Sequence, residues 1–132
     1  MGESDAEVFR RFHAAWTEGD LETALGFAVP DIVVRPLHGA LFSRGEYHGH
    51  DGLVDWFHEM TDPWDRFEAI VEDAFDTPDG VVGLIMLAGY RGEERLHARV
   101  GSVCQFRDGR IATLTGRNAG DVEKQILRLR GG

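Results

Sequence analysis

The sequence contains a single cysteine, Cys104, and a single lysine, Lys124. One cysteine excludes an internal disulfide framework. Cys104 stands in an apolar run, which predicts a buried small hydrophobic residue and not a nucleophile, because burial in apolar surroundings raises the pKa of a thiol. The other basic residues are all arginines, and we interpret this as a coding bias without functional meaning.

Long apolar runs and an excess of positive charge are also absent. No run approaches the roughly 20 residues that a membrane-spanning helix needs, and the N-terminus begins with polar and acidic residues. The 23 acidic residues outnumber the 14 basic ones, and the resulting net charge of −9 opposes binding to a phosphate backbone. We therefore expect a cytoplasmic protein with neither nucleic acid nor a membrane as partner. Residues 1–132 are expected to form one domain.

Two short helices joined at a tight corner are predicted near the N-terminus. Ser4 followed three residues later by Glu7 is a capping-box pattern, which predicts a first helix over residues 5–17. Apolar residues recur at helical spacing within it, and the glycine at position 19 ends it. A second helical pattern follows and is expected to end at Pro30.

The middle of the chain predicts a strand, a loop and a third helix. Residues 32–37 have strand composition, a glycine-bearing loop covers 38–45, and 44–48 form a brief second strand. The sequence from Gly49 to Gly52 is typical of a helix entrance, and this helix must end before Pro63.

Four β-type runs dominate the rest of the chain, over residues 65–76, 81–90, 95–107 and 110–118. Their connections are short, and Asp108-Gly109 is the two-residue hairpin signal, so an antiparallel meander is expected. Residues 121–129 predict a final helix. The fold class is therefore α+β, with a curved antiparallel sheet covered by about three N-terminal helices, a cystatin-like α+β roll.

Residues 12–34, 47–57 and 103–111, together with this order of elements, are similar to a known family. The sequence resembles the nuclear transport factor 2-like superfamily, and in particular its SnoaL-like and ketosteroid-isomerase-like branch. The resemblance extends over nearly the whole chain. The resemblance implies a cone-shaped fold with a pocket. These segments identify a fold and not a reaction.

The isomerases of that branch use a carboxylate base, and a tyrosine and a protonated aspartic acid that hydrogen-bond the developing oxyanion. When the sequence is aligned with that pattern at the Gly-Asp pair of residues 19–20, each catalytic position holds a residue of another type. Phe12 replaces the tyrosine, Pro36 replaces the base and Ser102 lies near the second acid. A supporting aromatic hydroxyl on the third helix is replaced by Phe57. The resemblance therefore implies the pocket of the family without the groups of the isomerases.

No obvious carboxylate substitutes for the missing acids. Residues 95–106 and 111–118 contain no Asp or Glu, although the epoxide-hydrolase and cyclase branches place pocket acids there. Four acids lie on the first long strand, but the alternation of apolar residues predicts that they face solvent. They are Glu68, Glu72, Asp73 and Asp76.

Histidine is the remaining candidate for proton transfer, because it changes charge near neutral pH. His38 shares the strand parity of Pro36 and would point to the pocket mouth if the strand continues; alternatively it only begins a loop. His13 and His58 are expected on exposed helix faces. His97 is expected at a subunit interface.

The predicted ligand-binding residues have apolar or polar-tipped side chains between the helices and the sheet, and ordinary core packing is the alternative for most of them. They are Phe12, Trp16, Tyr47, Trp56, Phe57, Met60, Met86, Ser102, Leu114 and Asn118. A metal site was considered at His38, His48, His50 and Asp51. Nothing fixes these histidines on one rigid element, so we expect neither a metal nor a cofactor.

The sequence thus predicts binding of a small, largely apolar ligand. Turnover by an isomerase, cyclase or hydratase type of proton transfer at His38 is one interpretation. The alternative is a non-catalytic member that sequesters a ligand or associates with a protein. A homodimer that buries the outer sheet face is expected, because that face carries Arg95, His97 and Arg99 beside apolar groups and no helix was assigned to cover it.

Overall fold

The computed structural model describes residues 4–37 and 45–131. Four helices and six strands follow one another along the chain. In order they are α1 (Asp5–Glu18), α2 (Leu21–Gly26), β1 (Ala28–Arg35), β2 (Tyr47–His48), α3 (Gly49–Thr61), β3 (Arg66–Thr77), β4 (Gly80–Arg91), β5 (Glu94–Arg107), β6 (Arg110–Arg117) and α4 (Ala119–Arg130).

Helix α1 begins and ends with the caps that the sequence indicated. The hydroxyl of Ser4 accepts a hydrogen bond from the backbone N–H of Glu7 at 3.2 Å. Gly19 adopts φ 72°, a left-handed conformation that glycine tolerates best, and its N–H bonds the last carbonyls of the helix. The predicted bounds of this helix are confirmed to within one residue.

The predicted end of the second helix is wrong. Helix α2 ends at Gly26, and β1 begins at Ala28, so Pro30 lies inside a strand. The carbonyl of Phe27 accepts a hydrogen bond from the backbone N–H of Ile111 at 2.8 Å, and Ala28 pairs with the same residue. A long-range pairing with β6 therefore ends the helix before its local apolar pattern runs out.

The six strands form one curved, unclosed sheet in the order β2-β1-β6-β5-β4-β3. Strands β3 to β6 make the predicted antiparallel meander, whereas β1 pairs with β6 in parallel, so the sheet is mixed. Helix α1 packs against the concave face. A Cβ atom at Gly83 would lie 2.5 Å from the ring of Phe9, so glycine is required where helix and sheet approach. The α+β fold class is confirmed.

Helix α4 covers part of the convex face, which the sequence interpretation left without a helix. Val122 and Ile126 pack on Val82 and Leu84 of β4. A Cβ atom at Gly101 would lie 2.4 Å from the side chain of Val122, so α4 also sits tightly on β5. No helix in the described residues is long and apolar enough to cross a membrane.

Candidate functional site

A cavity of about 360 Å³ lies between α1, α3 and the concave face of the sheet. Its walls come from both helices, from β3 to β6, and from the residues that follow β1. The lining residues are Phe12, His13, Trp16, Pro36, Leu37, Trp56, Met60, Ala69, Ile85, Leu87, Ala98, Arg99, Val100, Gly101, Ser102, Leu114 and Gly116. Most of these side chains are apolar, as is typical of small-molecule sites.

Aromatic rings form the helical wall of the cavity. The ring centroids of Trp16 and Trp56 are 4.9 Å apart, and Trp16 also lies 5.7 Å from Phe12. These distances and the tilted ring planes are favourable for aromatic pairs. Trp16, in the last turn of α1, is only 3% exposed.

Two indole groups in this wall lack hydrogen-bond acceptors. The Nε1–H groups of Trp16 and Trp56 are buried, and neither has a partner in the described part of the chain. An unsatisfied buried donor costs about 1–3 kcal/mol. Both nitrogen atoms are covered by neighbouring atoms, so the cost falls on the stability of the fold.

His13 lies in the cavity wall, and the prediction that it is solvent-exposed is wrong. The residue is 6% exposed. Its Nδ1–H donates to the carbonyl of Phe9 at 2.8 Å, and its ring packs against Phe9 and Phe12 at centroid distances of 4.5 and 5.2 Å. Burial lowers its pKa from 6.5 to about 4, although the bond to Phe9 opposes this shift.

The helical spacing of His13 was a signal that sequence reasoning missed. His13 follows Phe9 by four residues and precedes Trp16 by three, so all three lie on one face of α1. Treating histidine as polar placed it on the opposite face. At neutral pH the buried ring is uncharged, which makes it compatible with an apolar wall.

The three residues that the resemblance places at the positions of the isomerase groups all border this cavity. Phe12, Pro36 and Ser102 all line it. The hydroxyl of Ser102 lies 3.7 Å from the thiol of Cys104, whose pKa is raised to about 12 by burial. The described lining residues include no carboxylate. The chemistry of a carboxylate base is therefore missing from this part of the site.

Six of the predicted ligand-binding residues line the cavity and four do not. Tyr47 and Phe57 are buried in the core beside it. Met86 pairs with Arg99 on the convex face, because side chains alternate along β4. Asn118 caps α4 by accepting hydrogen bonds from the first turn. His38 lies outside the described residues.

The carboxylates of β3 do not line the cavity. Glu72 accepts a hydrogen bond from Arg99 at 2.8 Å, and Asp73 pairs with Arg130 of α4. A bulge between Val71 and Asp73 moves the second half of the strand out of simple alternation. Arg99 lies on the convex side with these acids, so only its backbone borders the cavity.

The histidines considered for a metal site have other contacts. His48 lies 3.3 Å from the carboxylate of Glu46 at the surface. The Nε2 atom of His50 lies 3.0 Å from the carbonyl oxygen of Ala28, to which it donates. Within residues 4–37 and 45–131, no group of three or more His, Cys, Asp or Glu side chains is arranged to hold a metal ion.

A SnoaL-like domain model matches residues 9–114 of the chain. No curated protein matches it. Solved structures do, and one of them is Bal32a from a soil-derived mobile gene cassette, with 23% identity and a TM-score of 0.77 over 86% of this chain and 87% of that one.

Two further similar structures contain small molecules. TerC co-crystallized with polyporic acid has 14% identity and a TM-score of 0.75, over 94% of this chain and 98% of that one. RV0760c from Mycobacterium tuberculosis, in complex with estradiol-17beta-hemisuccinate, has 17% identity and a TM-score of 0.74, over 91% and 98%. At these identities the likeness shows a common fold.

Proposed function

The chain belongs to the SnoaL-like domain family, and we propose that it binds a small, largely apolar molecule in the cavity between α1, α3 and the sheet. The cavity carries this proposal. Its volume of about 360 Å³ falls within the range of roughly 300–1,000 Å³ that is usual for ligand pockets. Apolar walls with a few polar groups are the other mark of such pockets.

The polar groups of the cavity support binding of a molecule with hydrogen-bonding atoms. The hydroxyl of Ser102 and the uncharged ring of His13 lie in the lining, and His13 offers an acceptor. Polyporic acid and estradiol-17beta-hemisuccinate, held by two proteins of the same fold, are small organic molecules of this general kind.

Binding without turnover agrees best with the described residues. Carboxylate-dependent isomerisation needs a base and oxyanion donors, and Phe12, Pro36 and Ser102 supply neither the base nor the acid. Proton transfer by His38 remains a prediction of the sequence, as does a cytoplasmic location. An isomerase or cyclase activity that depends on His38 is therefore the second candidate.

Ala98→Phe is expected to weaken ligand binding at least about tenfold, which corresponds to about 1.4 kcal/mol. Ala98 lines the cavity from β5, and a phenyl ring there occupies space that a ligand needs. Binding is measured by titration with N-phenyl-1-naphthylamine, a neutral apolar dye whose fluorescence rises in apolar surroundings.

The matched control is His97→Phe, which adds the same ring at the neighbouring position. His97 is exposed and faces the convex side of the sheet, so this variant should bind the dye as the wild type does. Equal binding by both variants would show that the dye occupies some other surface, and no saturable binding by the wild type would contradict the proposed function.

A homodimer is also proposed, through the part of the convex face that α4 leaves uncovered. Ile70 is 42% exposed there, beside half-buried Met86. Next to them the guanidinium carbons of Arg66 and Arg95 lie 4.3 and 5.2 Å from the ring centroid of Tyr90. Aromatic and arginine side chains around an apolar centre are typical of interfaces.

Light scattering at micromolar concentration is expected to give the mass of a dimer for the wild type and of a monomer for Ile70→Asp. A buried aspartate in the interface would lack a partner, which opposes association. Glu22→Lys, at an exposed position of α2, is the control and should remain dimeric. A monomeric wild type would refute this interface.

A further inference from the structure

We propose that His13 selects the ligand by accepting a hydrogen bond at Nε2, so that the bound molecule is an apolar compound that bears a hydroxyl group. This inference rests on the proposed function, because it names the class of molecule that the same cavity takes. It requires that Nε2 be a free acceptor, that it face the cavity and that no competing charge be nearby.

The hydrogen bond at Nδ1 leaves Nε2 as the acceptor of the ring. A neutral imidazole carries one N–H and one lone pair. The carbonyl of Phe9 only accepts, so the proton is on Nδ1, which donates to it at 2.8 Å. The lone pair is therefore on Nε2, which has no hydrogen-bond partner within the described ranges of the chain.

The position of the ring directs Nε2 away from α1. Nδ1 is turned back toward the helix backbone, so Nε2 lies on the opposite side of the ring. The side chain borders both the cavity and a groove between α1 and β3, and our proposal assigns Nε2 to the cavity. The rings of Phe9 and Phe12 pack on His13 and hold its orientation. The side chain is more than nine-tenths buried, so bulk water satisfies this acceptor poorly.

The surroundings favour a neutral partner for Nε2. Burial lowers the pKa of His13 to about 4, so the ring accepts and does not donate a second proton at neutral pH. His13 also borders a shallow groove between α1 and β3, where Arg10 and Glu18 are exposed to solvent. Arg99, whose backbone borders the cavity, has its guanidinium on the convex face, where it pairs with Glu72 and Glu123. A hydroxyl supplies the missing proton without burying a charge.

The test compares 2-naphthol with 2-methoxynaphthalene by isothermal titration calorimetry at pH 7. Both compounds have the same rings and an oxygen that can accept a hydrogen bond, but only 2-naphthol can donate one. One hydrogen bond of ordinary net strength predicts that 2-naphthol binds about three- to tenfold more tightly to the wild type.

Two variants test whether the preference for 2-naphthol depends on His13. His13→Phe keeps a ring of similar shape without an acceptor, and is expected to bind both compounds with nearly equal affinity. His13→Gln keeps an acceptor oxygen and is expected to retain part of the preference. Far-UV circular dichroism checks that each variant is folded, and the wild-type comparison stands even where a variant does not fold.

The outcomes separate the inference from the proposed function. Wild-type protein that binds both compounds equally, or His13→Phe that keeps the full preference, would overturn the role of His13 while leaving a ligand pocket. Wild-type protein that binds neither compound would overturn the pocket and, with it, the inference. A preference for 2-naphthol that His13→Phe loses supports both.

Discussion

Trp16→Ala is expected to lower the free energy of unfolding by about 3 kcal/mol. Truncation of a buried Trp to Ala typically costs about 3–5 kcal/mol, through lost burial and the cavity that remains. Trp16 is 3% exposed and contacts Phe12, Trp56 and Phe57, which places it in the core. The lower end of the range is expected because one side of the ring already borders the ligand cavity and makes no packing contacts there.

Urea unfolding followed by circular dichroism measures this loss, and Trp16→Phe is the matched control. Phenylalanine keeps most of the ring and removes the indole N–H that has no acceptor in the described chain. Its cost should therefore be clearly smaller than that of Trp16→Ala, because fewer buried atoms are removed. A loss below about 1 kcal/mol for Trp16→Ala would mean that this residue is neither a core residue nor a wall of the cavity.

Lowering the pH from 7 to 5 is expected to destabilise the wild type by about 2 kcal/mol through His13 alone. Its pKa is about 4 in the folded protein and 6.5 without burial. Between these values the unfolded chain binds a proton that the folded protein excludes, so stability rises with pH in this window. The loss begins as the pH falls through 6.5 and is complete near 4, at about 1.4 kcal/mol per pH unit in between.

His13→Phe should remove this part of the pH dependence, because the variant has no group to protonate at the site. Trp16→Phe is the control, because it alters the same wall without removing a titratable group, and its stability should fall in parallel with that of the wild type between pH 7 and 5. If His13→Phe and the wild type lose stability in parallel, the ring of His13 is not buried as an uncharged group.

The helices and the meander could be predicted because their signals are local. The Ser4 cap, the glycine at position 19 and the apolar spacing of α1 act within a few residues of one another, and the short turns force neighbouring strands to pair. The start of β1 and its parallel pairing with β6 could not be predicted in this way. They depend on Ile111, more than 80 residues away along the chain.

Some residues of the candidate site could likewise be predicted from the sequence, and others could not. Phe12, Trp16 and Trp56 were expected beside a pocket from their helical spacing and from the resemblance, and they line the cavity. His13 was assigned to solvent, since a single sequence gives the polarity of a side chain and not the carbonyl that will accept its proton. Met86 was assigned to the pocket, although strand alternation on the folded sheet places it outside.

The sequence by itself determined the α+β class, the order of the elements and an aromatic helix face that needs a sheet to cover it, because these follow from local spacing and composition. The resemblance to the isomerases also predicts that Phe12, Pro36 and Ser102 take the places of the isomerase groups. Only the tertiary structure decided which of these side chains share a cavity and that His13 is buried and neutral there. The curvature of the sheet and the placement of α1 on it bring these side chains together and exclude water from the imidazole. Curvature and placement both arise from contacts between segments that are distant along the chain.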